Sequence, residues 1–237
     1  MGFKFKQFTI EDQACGMKVG TDSIMLGSWV QTNHPQRILD IGTGSGLLAI
    51  MLAQKTPESC LIDGIDLDAA AIKQAKINGQ NCPWTQRLTF YHTSLQNFQT
   101  DQAYDLIISN PPYFCTNKTS NKTQTSPSRT QARQTVALDH ATLLQAVAQH
   151  LSVAGQFNCV LPESVAHQFI DEAQTLGLHC TRALEVQPKQ DVGITRLLLA
   201  FKRTKTPTAT ENISIYNQLN EYSTDYIALC KDYYLNF

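Results

Sequence analysis

A glycine-rich turn between a predicted strand and a predicted helix limits the fold of this chain more than any other segment does. Arg37–Ile41 is predicted to be a buried strand and Leu47–Gln54 a strongly apolar helix, and the turn between them contains Gly42, Gly44 and Gly46. Glycine permits a tight turn and a close approach of the backbone to a ligand. A strand that enters a helix through such a turn is typical of α/β proteins with a mainly parallel sheet.

The alternation of strands and helices continues along the rest of the chain. Further strands are predicted at Cys60–Asp66, Arg87–His92, Tyr104–Ser109, Gln156–Leu161, Leu178–Val186 and Arg196–Lys202, and helices at Asp68–Gly79, Ala141–Leu151 and Glu163–Leu176. We expect Thr21 or Asp22 to cap an earlier helix that runs through Trp29, Asp68 to cap its own helix, and Gly155 to end the helix that starts at Ala141. The pattern predicts one α/β domain.

The domain divides into three parts with no linker between them. Residues 1–35 form an N-terminal segment, residues 36–203 the core, and residues 204–237 a C-terminal tail with a short strand and a helix. A polar stretch without periodicity, 114–137, interrupts the core. We expect it to be a mobile basic loop at the mouth of the active site.

Composition narrows the classes of function. The 19 Lys and Arg nearly balance the 20 Asp and Glu, and this argues against a disordered charged chain or a strongly basic nucleic-acid coat. No apolar run is long enough to span a bilayer, and the N-terminus lacks the apolar stretch of a signal peptide, so we expect a cytoplasmic protein without a membrane partner. The seven cysteines are scattered without a CxxC pair and the six histidines are dispersed, so we predict neither a disulfide framework nor a metal site. The oligomeric state stays open.

The spacing of the glycines favours one class of ligand. A dinucleotide fingerprint reads G-x-G-x-x-G, whereas this turn reads D-x-G-x-G-x-G and begins with Asp40. A carboxylate at that place suits a cation, and S-adenosylmethionine carries a sulfonium and an ammonium group but no phosphate. Asp66 ends the next strand, where a carboxylate can accept from both ribose hydroxyls, and we assign Leu67, directly after it, to the same cofactor site. The alternative interpretation is a strand-to-helix turn whose acidic residues only cap helices.

The segment that follows the fourth predicted core strand indicates chemistry on a planar amino group. It reads Asn110-Pro111-Pro112-Tyr113. The Asn110 side-chain oxygen and the Pro111 carbonyl can accept from both N–H groups of such an amine, and the prolines hold these acceptors rigid. Tyr113 can stack on an extruded base. Taken alone, the segment is also compatible with a simple turn.

Several segments together resemble class I S-adenosylmethionine-dependent methyltransferases, and more narrowly the bacterial tRNA(Val) adenine-N6 methyltransferase family. The segments are Met17–Asp22, Leu39–Leu47, Asp105–Tyr113, Leu138–His140, Arg196–Phe201 and the tyrosine-rich C-terminal helix. The resemblance implies a single Rossmann-like domain with a mainly parallel seven-stranded sheet, an antiparallel edge strand and helices on both faces. It also implies methylation of the adenine next to the anticodon, position 37 of tRNA(Val), with S-adenosylhomocysteine as the second product.

The resemblance adds residues that spacing alone does not identify. It implies that the N-terminal segment caps the cofactor pocket, with Lys18 and Thr21 lying across it. Class I methyltransferases often have an aspartate after the third strand that accepts from the cofactor's adenine amino group, and this chain has Ser94 nearby instead. Ser94 is therefore the predicted, weaker substitute. The implied partner is the anticodon stem-loop of a tRNA.

The stretch from Asp105 to Asp139 contains no acidic residue between those two positions. It carries four cations, namely Lys118, Lys122, Arg129 and Arg133. Our hypothesis is that these cations bind phosphates of an RNA loop, which gives a nearly neutral protein one basic patch. A solvated loop without a role explains the composition equally well.

Parts of this sequence pattern are also compatible with other functions. The same tetrapeptide serves enzymes that methylate a glutamine amide in a protein, but these carry a helical substrate domain for which the residues before Asp40 are too few. DNA adenine methyltransferases add a target-recognition domain, and the chain has no length to spare for one. Methylation of another RNA adenine, or a non-catalytic cofactor- or RNA-binding module, stays open. The glycine spacing excludes a nicotinamide-dependent oxidoreductase.

Overall fold

The computed structural model describes residues 2–112 and 140–237. Ten strands lie within these ranges: β1 (Phe3–Lys4), β2 (Thr9–Ile10), β3 (Arg37–Ile41), β4 (Leu61–Asp66), β5 (Leu88–His92), β6 (Tyr104–Ser109), β7 (Leu151–Pro162), β8 (His179–Lys189), β9 (Arg196–Lys202) and β10 (Ala209–Tyr216). The helices are α1 (Thr21–Trp29), α2 (Leu47–Lys55), α3 (Ala69–Gln80), α4 (His140–His150), α5 (Glu163–Thr175) and α6 (Thr224–Cys230).

Eight of these strands form one sheet in the order β10-β8-β9-β7-β6-β3-β4-β5. β9 is antiparallel to its neighbours β7 and β8, whereas the other neighbouring pairs are parallel. β3 is the first core strand, and the chain adds β4 and β5 on one side of it and β6 on the other. The position between β3 and β6 is therefore the point where the order of the strands reverses.

The α/β class and the mainly parallel sheet are confirmed, but two details of the prediction are wrong. The sheet has eight strands instead of seven, and the antiparallel strand lies third from the edge instead of at it. The eighth strand comes from the C-terminal tail, because Ala209–Tyr216 pairs in parallel with β8 along its outer side. The antiparallel strand is internal because β9 pairs with both β7 and β8.

The sheet separates two apolar clusters. Successive strand residues point to opposite faces, so Ile38 joins the cluster formed with α1, α2, α3 and α6, and Leu39 joins the one formed with α4 and α5. Helices therefore pack on both faces, as predicted. In the part of the chain that the structure describes, no helix is both long and apolar enough to cross a bilayer.

Two predictions about helix ends are wrong, and in each case a contact with a distant part of the chain explains the difference. Gly20 precedes the first residue of α1 without a side-chain cap, and Asp22 accepts instead from Nε of Arg196 over 2.9 Å. Gly155 lies inside β7, next to a register irregularity, and a Cβ atom there would lie 2.9 Å from the carbonyl oxygen of Tyr104. Asp68 caps α3 as predicted, since its Oδ1 accepts from the backbone N–H of Ala70 over 2.8 Å.

A buried polar cluster fastens the amino ends of the central strands. Oδ2 of Asp63 accepts from Nη2 of Arg37 over 2.6 Å and from the hydroxyl of Tyr104 over 2.8 Å. We expect Tyr104→Phe to lower the free energy of unfolding by about 2 kcal/mol, because it removes a hydrogen bond to a buried carboxylate. Urea unfolding measures this change. A free energy of unfolding equal to that of wild type would contradict a stabilising role for this hydrogen bond.

Candidate active site

A cavity of about 440 Å³ opens at the carboxyl ends of β3, β4 and β6. Its size is that of a small-molecule site, and its place, at the reversal of the strand order, is where open α/β sheets bind ligands. Its wall consists of Cys15, Gly16, Met17, Lys18, Val19, Ser23, Ile41, Gly42, Thr43, Gly44, Ser45, Leu47, Leu48, Ile65, Asp66, Leu67, Asp68, Ala71, Thr93, Leu95, Asn110, Pro111 and Pro112.

The glycine turn has a left-handed backbone at all three of its glycines. The φ angles of Gly42, Gly44 and Gly46 are 71°, 54° and 82°. A Cβ atom would meet nothing within 4 Å at Gly42 or Gly44, so open space lies beside both residues, whereas at Gly46 it would lie 3.1 Å from the ring of Phe90. The first two glycines therefore border the cavity. Gly46 has no side chain to meet Phe90, so α2 can begin close against β5.

Asp40 lies beneath this turn and is fully buried. Its Oδ2 accepts from the hydroxyl of Thr43 over 2.7 Å and from the backbone N–H of Ala49 over 3.2 Å. Among the described residues its Oδ1 has no hydrogen-bond partner, although that atom is buried. Burial raises the pKa of Asp40 to about 7. The carboxyl group thus joins the turn to α2, and it does not itself form part of the cavity wall.

The raised pKa of Asp40 predicts a pH dependence of stability. The folded protein binds this proton more tightly than the unfolded chain does, so the stabilising contribution of protonation is complete below about pH 4 and is lost as the pH rises through about 7. We expect the unfolding temperature of wild type to fall more between pH 5 and pH 8 than that of Asp40→Asn, which carries no titrating group there. Parallel curves for the two proteins in thermal unfolding would contradict the assignment.

Asp66 ends β4 and holds the turn from the other side. Its Oδ2 accepts from the backbone N–H of Gly44 and its Oδ1 from the backbone N–H of Asp68, each over 2.9 Å. Each carboxylate oxygen has a second lone pair, and the half-buried side chain lines the cavity. The carboxylate is therefore held in place by the backbone while it faces a ligand-sized space.

Asn110 follows β6 and borders the same cavity from the opposite side. Its Nδ2 donates to Oγ of Ser23 over 2.9 Å and lies 3.6 Å from Sδ of Met17. Pro111 and Pro112 continue the wall. The predicted acceptor segment and the glycine turn thus face one space, although about 65 residues of sequence separate them.

The N-terminal segment contributes the outer part of the wall. Oδ2 of Asp12 accepts from the backbone N–H of Val19 over 2.9 Å, and Nζ of Lys18 donates to the Asp12 carbonyl over 2.6 Å, so residues 12–19 form a closed loop. The buried side chain of Asn78 donates to the carbonyls of Glu11 and Ser45, each over 2.8 Å. One side chain therefore ties this loop to the glycine turn.

The predicted site residues separate into three groups. Lys18, Gly42, Gly44, Asp66, Leu67, Asn110, Pro111 and Pro112 line the cavity, whereas Thr21, Asp40, Gly46 and Ser94 are not part of its wall. Ser94 is used locally, because its Oγ accepts from the backbone N–H of Asn97 over 3.1 Å, while its neighbours Thr93 and Leu95 border the cavity. Tyr113, Lys118, Lys122, Arg129 and Arg133 lie outside the described residues.

Several wall residues were not among the predicted site residues. Met17 and Ser23 contact Asn110 from 93 and 87 positions away; Met17 begins a segment that resembles the family but was given no role, and Ser23 belongs to no motif. Asp68 was predicted only as a helix cap. Within residues 2–112 and 140–237, no group of three or more His, Cys, Asp or Glu side chains could hold a metal ion.

Comparison with known proteins gives matches along the whole chain. The family model of the methyltransferase small domain matches residues 15–170. The tRNA1(Val) (adenine(37)-N6)-methyltransferase of Pseudoalteromonas atlantica is 47% identical over an alignment that covers 100% of this chain and 98% of that protein. Proteins of the same name from Salmonella typhi and Trichodesmium erythraeum are 41% and 38% identical, and each alignment covers 99% of this chain and 95% or 98% of the relative.

Solved structures share the fold at low sequence identity. A protein described as a predicted O-methyltransferase from Agrobacterium tumefaciens superposes with a TM-score of 0.67 at 12% identity, covering 90% of this chain and 96% of its own. A ribosomal protein L11 methylase from Lactobacillus delbrueckii superposes with a TM-score of 0.52 at 18% identity, covering 77% of each chain. At these identities the likeness concerns the fold alone.

Proposed function

This chain belongs to the methyltransferase small domain family, and from its likeness to full-length relatives we propose that it transfers a methyl group from S-adenosylmethionine to N6 of adenine 37 in tRNA(Val). The observation that supports this most strongly is that the acceptor segment Asn110–Pro112 and the glycine turn border one cavity. The names of full-length relatives at 38–47% identity supply the substrate.

The cavity residues fit S-adenosylmethionine by their chemistry. Asp66 offers carboxylate lone pairs to the two ribose hydroxyls, and the space beside Gly42 and Gly44 allows a ligand to approach the backbone. The buried Oδ1 of Asp40, which lacks a partner among the described residues, suits a water-mediated contact with the ligand's ammonium group. Bound there, the cofactor supplies a methyl group activated by its sulfonium centre and leaves as S-adenosylhomocysteine.

The residues at the other side of the cavity prepare the methyl acceptor. An exocyclic amino group is planar, because its lone pair is delocalised into the ring. The Asn110 side-chain oxygen and the Pro111 carbonyl accept from its two N–H groups, which makes the nitrogen more tetrahedral and its lone pair more available. Positive charge that develops on the nitrogen is stabilised by these oriented acceptors, so no strong base is required and the proton leaves after transfer. We assign Tyr113 the stacking contact with the extruded base.

Methyl transfer to a defined transcript tests this function. Unmodified tRNA(Val) is incubated with the protein and labelled S-adenosylmethionine, next to a matched transcript in which guanosine replaces adenine 37. We expect label in the first transcript and none in the second. Equal labelling of both would refute position 37, and no labelling of either would refute tRNA(Val) as the substrate. In that case label that appears only in protein, when total RNA and a cell extract are offered instead, would favour a glutamine amide.

The contact with the anticodon stem-loop is a separate part of the proposal. We assign it to Lys118, Lys122, Arg129 and Arg133, which lie outside the described residues. Replacing all four by Gln should weaken tRNA binding and reduce the slope of log affinity against log salt by about 3, since each phosphate contact contributes nearly one unit. Filter binding at several salt concentrations measures both quantities. Affinity for S-adenosylhomocysteine is the control and should not change, and an unaltered slope would reject the assignment.

Two further assignments follow from a tRNA substrate and a cofactor cavity. We place the protein in the cytoplasm, where tRNA is modified, and we assign residues 1–35 the role of capping the cofactor cavity. The closed loop at residues 12–19 supports the second assignment, because Cys15, Met17 and Lys18 form part of the cavity wall.

A further inference from the structure

The orientation of the Asn110 side chain depends on α1 and the loop before it. Nδ2 of Asn110 donates to Oγ of Ser23 and lies near Sδ of Met17, a weak acceptor, so both contacts engage the nitrogen end of the amide. Ser23 is half-buried in the first turn of α1 and lines the cavity, as Asn110 does. The nitrogen end of the amide therefore faces the segment 17–23.

The direction of this amide decides whether it can assist methyl transfer. The terminal torsion of asparagine is broad and roughly two-fold, so without a fixed partner the oxygen and nitrogen ends can exchange places. An amino group as substrate presents N–H donors, which need the oxygen end. If the nitrogen end faced the substrate, its N–H groups would meet the N–H groups of the amine. Only the Pro111 carbonyl would then remain as an acceptor.

Ser23 is itself held firmly enough to set that direction. The preceding residue, Asp22, accepts from Nε of Arg196 over 2.9 Å, and Nη1 of Arg196 donates to the Thr195 carbonyl over 2.9 Å. The following residues Ile24 and Met25 are buried in the core. The first turn of α1 is thus fixed between the core and the start of β9.

We propose that Ser23 is a positioning residue for methyl transfer, whose hydroxyl oxygen accepts from Asn110 and keeps the amide oxygen directed to the substrate's amino group. The inference rests on the function proposed above and adds to it a residue that does not touch the reacting atoms. It explains why a serine stands where α1 meets the end of β6.

A pair of variants of equal shape tests the hydroxyl alone. Ser23→Thr keeps the hydroxyl, and Ser23→Val replaces it with a methyl group, while both add one branch to Cβ. We expect Ser23→Val to lower kcat about 10- to 100-fold, since a small misplacement of a catalytic group costs that much, with KM for S-adenosylmethionine and tRNA within about twofold of wild type. Ser23→Thr should stay within about threefold of wild-type kcat. Ser23→Ala, without added bulk, serves if Ser23→Val does not fold.

A measurement on the free protein separates this inference from the proposed function. In ¹⁵N-labelled protein, exchange of the Asn110 side-chain amide protons with water should be slow in wild type and Ser23→Thr and faster in Ser23→Val or Ser23→Ala. Unchanged exchange, unchanged kcat in the variants without a hydroxyl, or an equal loss in Ser23→Thr and Ser23→Val would overturn the positioning role. If the variants without a hydroxyl exchange faster than wild type but wild type methylates no tRNA, the proposed function is overturned and the hydrogen bond between Asn110 and Ser23 stands.

Discussion

Replacing Asn110 with alanine is expected to lower kcat about 1000-fold, because the loss of one oriented group that stabilises the transition state costs that much in other enzymes. The variant loses one of the two acceptors for the amino group, while the backbone on either side is kept by Ser109 and Pro111. Ser109 is fully buried and its Oγ donates to the Ile41 carbonyl over 2.8 Å, which fixes the end of β6 independently of Asn110. Single-turnover methylation of tRNA(Val) measures the effect.

Two controls distinguish lost chemistry from lost structure. Affinity for S-adenosylhomocysteine and the unfolding temperature of Asn110→Ala should remain close to wild type. Asn110→Asp keeps an acceptor oxygen but cannot donate to Ser23, so its kcat should lie between those of wild type and Asn110→Ala. An alanine variant that retains more than about a tenth of wild-type kcat would show that the acceptor is dispensable.

Replacing Asp66 with alanine is expected to weaken the binding of S-adenosylhomocysteine about 100-fold. The variant removes a charged acceptor for two ribose hydroxyls, and hydrogen bonds to a charged group are each worth about 1.5–3 kcal/mol. It also leaves the backbone N–H groups of Gly44 and Asp68 without the acceptors that they have in wild type. Isothermal titration calorimetry with S-adenosylhomocysteine measures the change.

Asp68→Ala is the matched control for Asp66→Ala. It removes the same charge from the same wall and likewise frees a backbone N–H group, because Oδ1 of Asp68 caps α3, but Asp68 is not assigned to the ribose hydroxyls. We expect it to lower stability by about 1 kcal/mol, the usual cost of a lost cap, with a much smaller effect on binding. Equal losses of affinity in the two variants would mean that Asp66 acts only through the charge of the cavity.

The parts of the fold that short-range physics determines could be predicted from the sequence. The strand at Arg37–Ile41 lies at its predicted residues, and the helix from Leu47 ends one residue later than expected. The glycines between them have positive φ, a backbone conformation that few other residues adopt. The cap at Asp68 is equally local, since it involves a residue two positions away.

What the sequence does not reveal depends on contacts between distant segments. The pairing of Ala209–Tyr216 with β8 is set by the tertiary arrangement, and Asp22 pairs with a residue 174 positions away instead of capping α1. The contact between Ser23 and Asn110 is likewise invisible to spacing.

Some residues of the site could likewise be predicted from the local sequence, whereas the contacts of others could not. The motif residues Asp66 and Asn110 reach the cavity wall because each directly ends or follows a strand, and the carboxyl ends of parallel strands meet at one edge of the sheet. Asp40 and Ser94 were also expected to contact the ligand, and in both side chains an oxygen accepts hydrogen bonds from nearby groups of the chain. Pattern alone cannot tell whether an acidic or hydroxyl side chain faces a ligand or its own backbone.

Mass-spectrometric mapping of tRNA from a strain that lacks this protein tests the proposed chemistry most directly. The strain is complemented in parallel with wild type and with Asn110→Ala, and tRNA(Val) is purified from each. We predict N6-methyladenosine at position 37 with wild type and unmodified adenosine with Asn110→Ala. Full methylation at position 37 with the variant, or none with wild type, would contradict the proposal that Asn110 presents the adenine amino group to S-adenosylmethionine in this cavity.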